Sequence, residues 1–135
     1  TGSGGGTYTS AILGSAQAPG GYTNSAESWD GTNWTEVSEI NTTRGFGGGS
    51  GTSNISGIVF GGATPPPLSV ANTETWDGSS WTERADLATP TNNGVGGAGT
   101  RSAALCFGGN NPPPGQIANT EEFTANLANK TIASS

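Results

Sequence analysis

The sequence predicts an all-β protein made of three tandem units, each a four-stranded antiparallel sheet. Three observations carry this reading: a motif that recurs in register, regular punctuation by Gly, Pro and Asn clusters, and the lack of any segment with helical periodicity. The motif Glu27-Ser28-Trp29-Asp30-Gly31-Thr32-Asn33-Trp34-Thr35-Glu36 returns as Glu74-Thr75-Trp76-Asp77-Gly78-Ser79-Ser80-Trp81-Thr82-Glu83, a step of 47 residues from Trp29 to Trp76. One more step reaches Phe123 within Glu121-Glu122-Phe123. The same step relates Gly2, Gly49 and Gly96, then Gly14, Gly61 and Gly108, and it carries Pro65, Pro66 and Pro67 onto Pro112, Pro113 and Pro114. These landmarks hold one register without a gap and divide the chain into units at 1–44, 45–91 and 92–135, the last one degenerate.

Each strand has its own reason. The first is glycine-rich, residues 45–52 in the second unit and 94–100 in the third. Strands nearest the axis of a radial array crowd together, and residues without bulk let the backbones converge. The second strand, 55–60 and 102–107, is apolar and closes on the doublets Gly61-Gly62 and Gly108-Gly109. A long loop with three prolines follows; proline cannot donate to a ladder, so this segment is expected outside the sheet. The third strand begins near Val70 or Ile117. Asp77-Gly78 between two aromatic ends is a hairpin signal, because that pair tolerates positive φ. The fourth strand is 81–87, with 130–133 as its last copy. The tryptophans are expected to cover the flat face of a neighbouring unit, supplying buried area where glycine supplies none.

Composition narrows the function. The chain has 135 residues, 30% of them hydrophobic, with 24 glycines, so any core is thin and shared between units. Ten acidic against four basic residues give a formal charge of -6, and so few cations neutralise few phosphates, which argues against nucleic acid as a partner. No run of eighteen apolar residues exists, so no membrane insertion is expected. The chain contains no histidine, which removes the usual general base and the commonest transition-metal ligand. Cys106 is the single cysteine, so neither an internal disulfide nor a multi-cysteine zinc site can form. No catalytic residue, cofactor or metal is therefore expected.

On these residues the chain resembles the kelch repeat: an apolar strand ending in a glycine doublet, a variable loop, an acidic-aromatic strand and a second tryptophan. Ile58-Val59-Phe60-Gly61-Gly62 with Glu74, Trp76 and Trp81 fits the pattern, and Leu105-Cys106-Phe107-Gly108-Gly109 with Glu121 and Phe123 fits its front half. The first unit departs from it with Gly14-Ser15 in place of a doublet, and the third lacks the second tryptophan, with 128–130 in that region. The two Trp-Asp dipeptides also suggest WD40 repeats, but spacing and the doublets favour kelch. The resemblance implies a kelch-type β-propeller segment of three four-stranded antiparallel blades, part of a larger ring. Further blades come from a longer polypeptide or, as homo-oligomer, from a second copy; the former is preferred. The Gly/Thr/Ser/Asn-rich style is similar to kelch-like repeats of bacteriophage structural proteins, including those of marine and cyanobacterial hosts.

Candidate sites divide between chemistry and architecture. Gly94-Val95-Gly96-Gly97-Ala98-Gly99 satisfies a dinucleotide fingerprint in letters, but the strand before it, the helix after it and the distant acidic residue are missing, so it reads as an inner strand. Glu27, Glu74 and Glu121 recur at one repeat position and could ring a cation, or each could hold a turn in its own blade; the latter is expected. Trp29, Trp34, Trp76 and Trp81 could stack sugar rings, but their recurrence favours packing between blades. The proline loops, with Pro65, Pro66, Pro67, Pro112, Pro113 and Pro114, are the candidate contacts for a partner or glycan, because long loops on rigid scaffolds carry recognition. Cys106 reads as a small buried hydrophobe.

The function expected is a non-enzymatic structural and binding module, on a virion surface or extracellular. It would sit in a fibre, tail or capsid appendage and contact neighbouring subunits or a host surface protein or glycan. A lectin-like or adaptor propeller is the alternative. An enzyme scaffold similar to galactose oxidase is disfavoured, because it needs His and Tyr copper ligands and the chain offers only Tyr8 and Tyr22.

Overall fold

The computed structural model describes residues 2–66, 68–112, 115–125 and 127–132, the last six as backbone. Pro67, Pro113, Pro114 and Ala133, all named above, lie outside the described residues. Among the described residues every regular element is a strand. The first sheet contains β1 (Gly2–Thr7), β2 (Ser10–Ala18), β3 (Gly21–Trp29) and β4 (Trp34–Val37), hydrogen-bonded in that order. In the second unit come β5 (Gly48–Ser53), β6 (Ser56–Phe60), β7 (Ala63–Thr64), β8 (Leu68–Ser69), β9 (Thr73–Trp76) and β10 (Trp81–Glu83). Its sheet runs β10-β9-β6-β5, and β7 pairs with β8 as a separate ribbon. In the third, β11 (Asn92–Thr100), β12 (Ala103–Asn111), β13 (Gly115–Gln116), β14 (Thr120–Thr124) and β15 (Leu127–Ile132) form one sheet with β13 attached beside β12. All pairings are antiparallel.

Three expectations need correction. The register is not gapless. Two-residue turns follow the pairs Thr7↔Ser10, Ser53↔Ser56 and Thr100↔Ala103, so the first hairpin stands 46 residues before the second and the second 47 before the third. Ser15, not Gly14, is therefore the counterpart of Gly61 and Gly108, and all three take positive φ: 59, 55 and 70°. The proline segments are not wholly outside the sheets, since their flanks pair: Thr64↔Leu68 in one and Asn111↔Gly115 in the other. This makes the third unit five-stranded, not four. In place of that loop the first unit has a tight Pro19-Gly20 turn, with Ala18 paired to Gly21.

The glycine-rich strands β1, β5 and β11 lie side by side with almost no separation. A Cβ built on Gly49 would stand 2.6 Å from the nitrogen of Gly4, and one on Gly97 would strike the carbonyl of Gly49. Three backbones approach where no side chain intervenes.

The cores lie between sheets. Ile12, Ala26 and Ile40 of the first unit close on Val59, Trp76 and Trp81 of the second. Ile58, Phe60 and Leu87 of the second close on Ala104, Cys106 and Phe123 of the third. Alternation along β6 explains the sharing: Val59 points to the preceding sheet while Ile58 and Phe60 point to the following one. Each such apolar side chain contributes about 1.5–3 kcal/mol on full burial, so neither junction is stable as half an interface.

Candidate functional site: the unit junctions and the proline-loop hollow

The repeated carboxylates act across junctions. Glu74, on β9 opposite Val59, is fully buried. Its Oε2 accepts the backbone N–H of Asn41 at 2.7 Å and the Asn41 side-chain amide at 2.8 Å, and its Oε1 accepts the N–H of Thr42 at 3.3 Å. Glu121, on β14 opposite Cys106, repeats this one step on: Oε2 accepts from Ala88 N at 2.6 Å and Oε1 from Thr89 N at 3.0 Å. Each carboxylate thus holds the segment that leads from the preceding sheet, and not a turn in its own unit as expected from the sequence. The physical reason is that β9 and β14 present this residue to the neighbouring sheet, where a connecting segment brings two unpaired N–H groups together. Glu27, the first copy, is exposed. Among the described residues no group of three His, Cys, Asp or Glu side chains could hold a metal ion.

Arg44 joins Glu74 at the first junction only, since its counterpart in the second is Thr91. Its Nη1 lies 3.2 Å from Glu74 Oε1, with both side chains buried. The contact is one of charge more than of aligned hydrogen bonding, because Nη1 and Nη2 have no hydrogen-bond partner among the described residues. Burial lowers the pKa of this guanidinium, and the Glu74 charge opposes that.

The two tryptophan pairs are built alike and placed differently. Trp29 and Trp34 pack with ring centroids 5.4 Å apart and planes at 38°; Trp76 and Trp81 do so at 5.4 Å and 40°. Trp29 Nε1 donates to the Tyr8 carbonyl at 2.8 Å, and Trp76 Nε1 to the Asn54 carbonyl at 2.8 Å, so each fastens its own first hairpin. The turns between them are set by aspartate. Asp30 Oδ1 accepts from Thr32 N and Asn33 N, and Asp77 Oδ1 from Ser79 N and Ser80 N, with Gly31 and Gly78 at φ 96 and 98°. Trp76 and Trp81 are buried between sheets, whereas Trp34 is 51% exposed. The expectation of packing between units therefore holds for the second pair and fails for the first, which has no sheet against it among the described residues.

The proline segments come together at the second junction. Asn92 Nδ2 donates to Ser69 Oγ at 2.9 Å, and Ser69 Oγ donates to the Asn110 carbonyl at 3.4 Å, tying the β7/β8 ribbon to the third unit. Beside them lies a hollow of about 390 Å³ lined by Asn93, Gly94, Gly109, Asn110, Gln116 and Ile117. Oδ1 of Asn110 is buried without a hydrogen-bond partner among the described residues. Gly108 and Gly109, at φ 70 and 98°, turn the backbone behind this hollow, as Gly61 and Gly62, at 55 and 112°, do one unit earlier. Its lining is neutral: amides, peptide groups and one isoleucine. Of the predicted contact residues, Pro65, Pro66 and Pro112 are described, and none of them lines it.

Arg44 and Asn93 were not singled out from the sequence, whereas Asn110 and Gln116, which line the hollow, bound the proline loop expected to contact a partner. Arg44 occupies a position without a repeated counterpart, and the donors of 41–42 and 88–89 are peptide groups, which leave no side-chain signature. The signal that was available is the recurrence of Glu74 and Glu121 themselves, since a buried repeated carboxylate requires donors from somewhere.

No protein-family profile matches the chain, and no curated protein is similar to it in sequence. Among solved structures, the chain is similar to one described as "Structure of YjhT", with a TM-score of 0.75 and 12% identity over 98% of this chain. That likeness establishes an all-β fold of this kind, and the chain spans 45% of the length of that structure.

Proposed function

We propose that the chain is a kelch-type propeller segment serving as a non-enzymatic binding and structural module. The observation that carries this reading is the use made of the reactive side chains. Glu74 and Glu121 are fully engaged in joining units, and the buried aromatics fill the same junctions. Stacking of three similar sheets through shared cores supports the propeller. We place the module in a virion appendage, on the likeness of its Gly/Thr/Ser/Asn-rich repeats to phage kelch-like proteins. Mass spectrometry of purified particles tests this: recovery of the chain from particles supports it, and recovery only from host cytosol overturns it.

A lectin-like role is the second reading, favoured by the neutral amide-lined hollow beside the proline segments. Such a lining suits the hydroxyl groups of an uncharged sugar. A glycan array run with the chain and with Asn110→Ala tests it. Binding of neutral glycans that Asn110→Ala removes supports the role, and no binding on any array feature rejects it.

A further inference from the structure

We infer that the face of the first unit carrying Glu27, Trp29 and Trp34 is a docking surface for one further unit of the same repeat type, and that it selects a unit with glycine or a similarly small residue at the position of Gly14. The inference rests on the stacked-unit reading above. This face is an unfilled copy of a filled one. Glu27, Trp29 and Trp34 repeat Glu74, Trp76 and Trp81 down to the ring geometry, yet Glu27 and Trp34 are exposed while all three counterparts are buried. What fills the second copy describes what fits the first: Ile12, Gly14 and Ile40, with the N–H groups of Asn41 and Thr42 offered to the carboxylate.

Size decides which unit fits. A Cβ on Gly14 would stand 3.0 Å from Trp81 Cζ2 and 3.1 Å from Ile40 Cγ2, so the indole occupies the space a side chain would need. Counted from the hairpins, Gly14 corresponds to Phe60 and Phe107, each four residues past the turn. At the second junction Phe60 is fully buried, in one cluster with Cys106 and Phe123 of the third unit. Glycine against Trp81 at the first junction and phenylalanine packed with Phe123 at the second are two ways of filling one volume at native density. Trp34 calls for the first. The outer flank of the third unit presents Leu105 and Phe107, 38% and 42% exposed, and so carries the second. A second copy joined head to tail would set Phe107 against Trp34, and is therefore not the occupant.

The test extends the whole chain with a fourth unit, a duplicate of residues 1–47 placed ahead of residue 1. Acrylamide quenching of Trp34 is read as the difference from a Trp34→Phe variant. We expect quenching severalfold weaker than in the unextended chain, together with a higher Tm. With Gly14→Phe in the added copy, Trp34 is expected to stay as accessible as before, and Trp34→Ala combined with that change is expected to restore the gain in Tm. Equal protection by both added units overturns the size rule and leaves the stacked-unit reading standing. Protection by neither, or no restoration by Trp34→Ala, overturns the docking surface, and protection by neither also removes support from the stacked-unit reading. A dimer of the unextended chain in sedimentation that shields Trp34 overturns the choice of occupant.

Discussion

The carboxylate of Glu74, itself fully buried, accepts the backbone N–H of the exposed Asn41 at 2.7 Å across the junction of the first two sheets. Glu74→Gln replaces one of the two acceptor oxygens with an amide donor, so that one of the Asn41 and Thr42 N–H groups loses its acceptor, and it leaves Arg44 buried without its counter-charge. Breaking a buried pair in this way costs about 3–5 kcal/mol. Glu27→Gln, at the exposed equivalent, is expected to change stability by less than about 0.5 kcal/mol. Urea denaturation of both variants checks the contrast, and equal losses would contradict it.

Gly49→Ala is expected to destabilise by at least about 1–3 kcal/mol, the cost of overpacking, because the new methyl meets the backbone of Gly4 and no rotamer relieves it. Gly20→Ala serves as the reference, since nothing lies within 4 Å of a Cβ there. Thermal melting of the two variants should separate them clearly.

Asp77 governs an acid-sensitive turn. Hydrogen bonds from the backbone of Ser80 and then Ser79 lower its pKa from 3.8 to about 2. The fold therefore favours the carboxylate, and its stabilisation is complete above the unfolded value, then declines as the pH falls from about 4 through 2. Urea midpoints measured from pH 6 to pH 2 should drop in that window, and Asp77→Asn should flatten the slope there.

Cys106 is expected to be inert in the native protein. Burial, reinforced by the nearby Glu121 charge, pushes its thiol up to about 12, so thiolate is scarce at pH 8. A raised value means the stabilisation is present at neutral pH and is lost as the pH climbs past the unfolded value of about 8.5 toward 12. Reaction with a disulfide reagent should proceed at the rate of unfolding and not at that of a free thiol; immediate full reaction of the folded chain would refute this.

Much of the sheet arrangement was legible because turn residues and apolar alternation are local properties. The Asp77-Gly78 turn, the paired tryptophans and the crowded glycine strands could all be read from neighbours in sequence. The one-residue slip in the first unit was not legible, because Gly14 stands beside Ser15 and the eye takes the glycine; only the backbone reveals that Ser15 has the positive φ. The partners of Glu74 and Glu121 were hidden for another reason, since peptide N–H groups are the same under every residue name. The differing exposure of Trp34 and Trp81 was equally out of reach: identical motifs acquire different environments according to which sheet stands beside them.

The strand Gly48–Ser53, wedged between backbones on both sides, bears on how the fold tolerates change. A protein is usually traced through the side chains it keeps, yet here the feature that lets three sheets converge is the lack of them. Substitution elsewhere can proceed widely while that emptiness is preserved, and a comparison by residue likeness finds little to score in it. A shared shape at 12% identity fits a fold whose tightest contact holds no side chains.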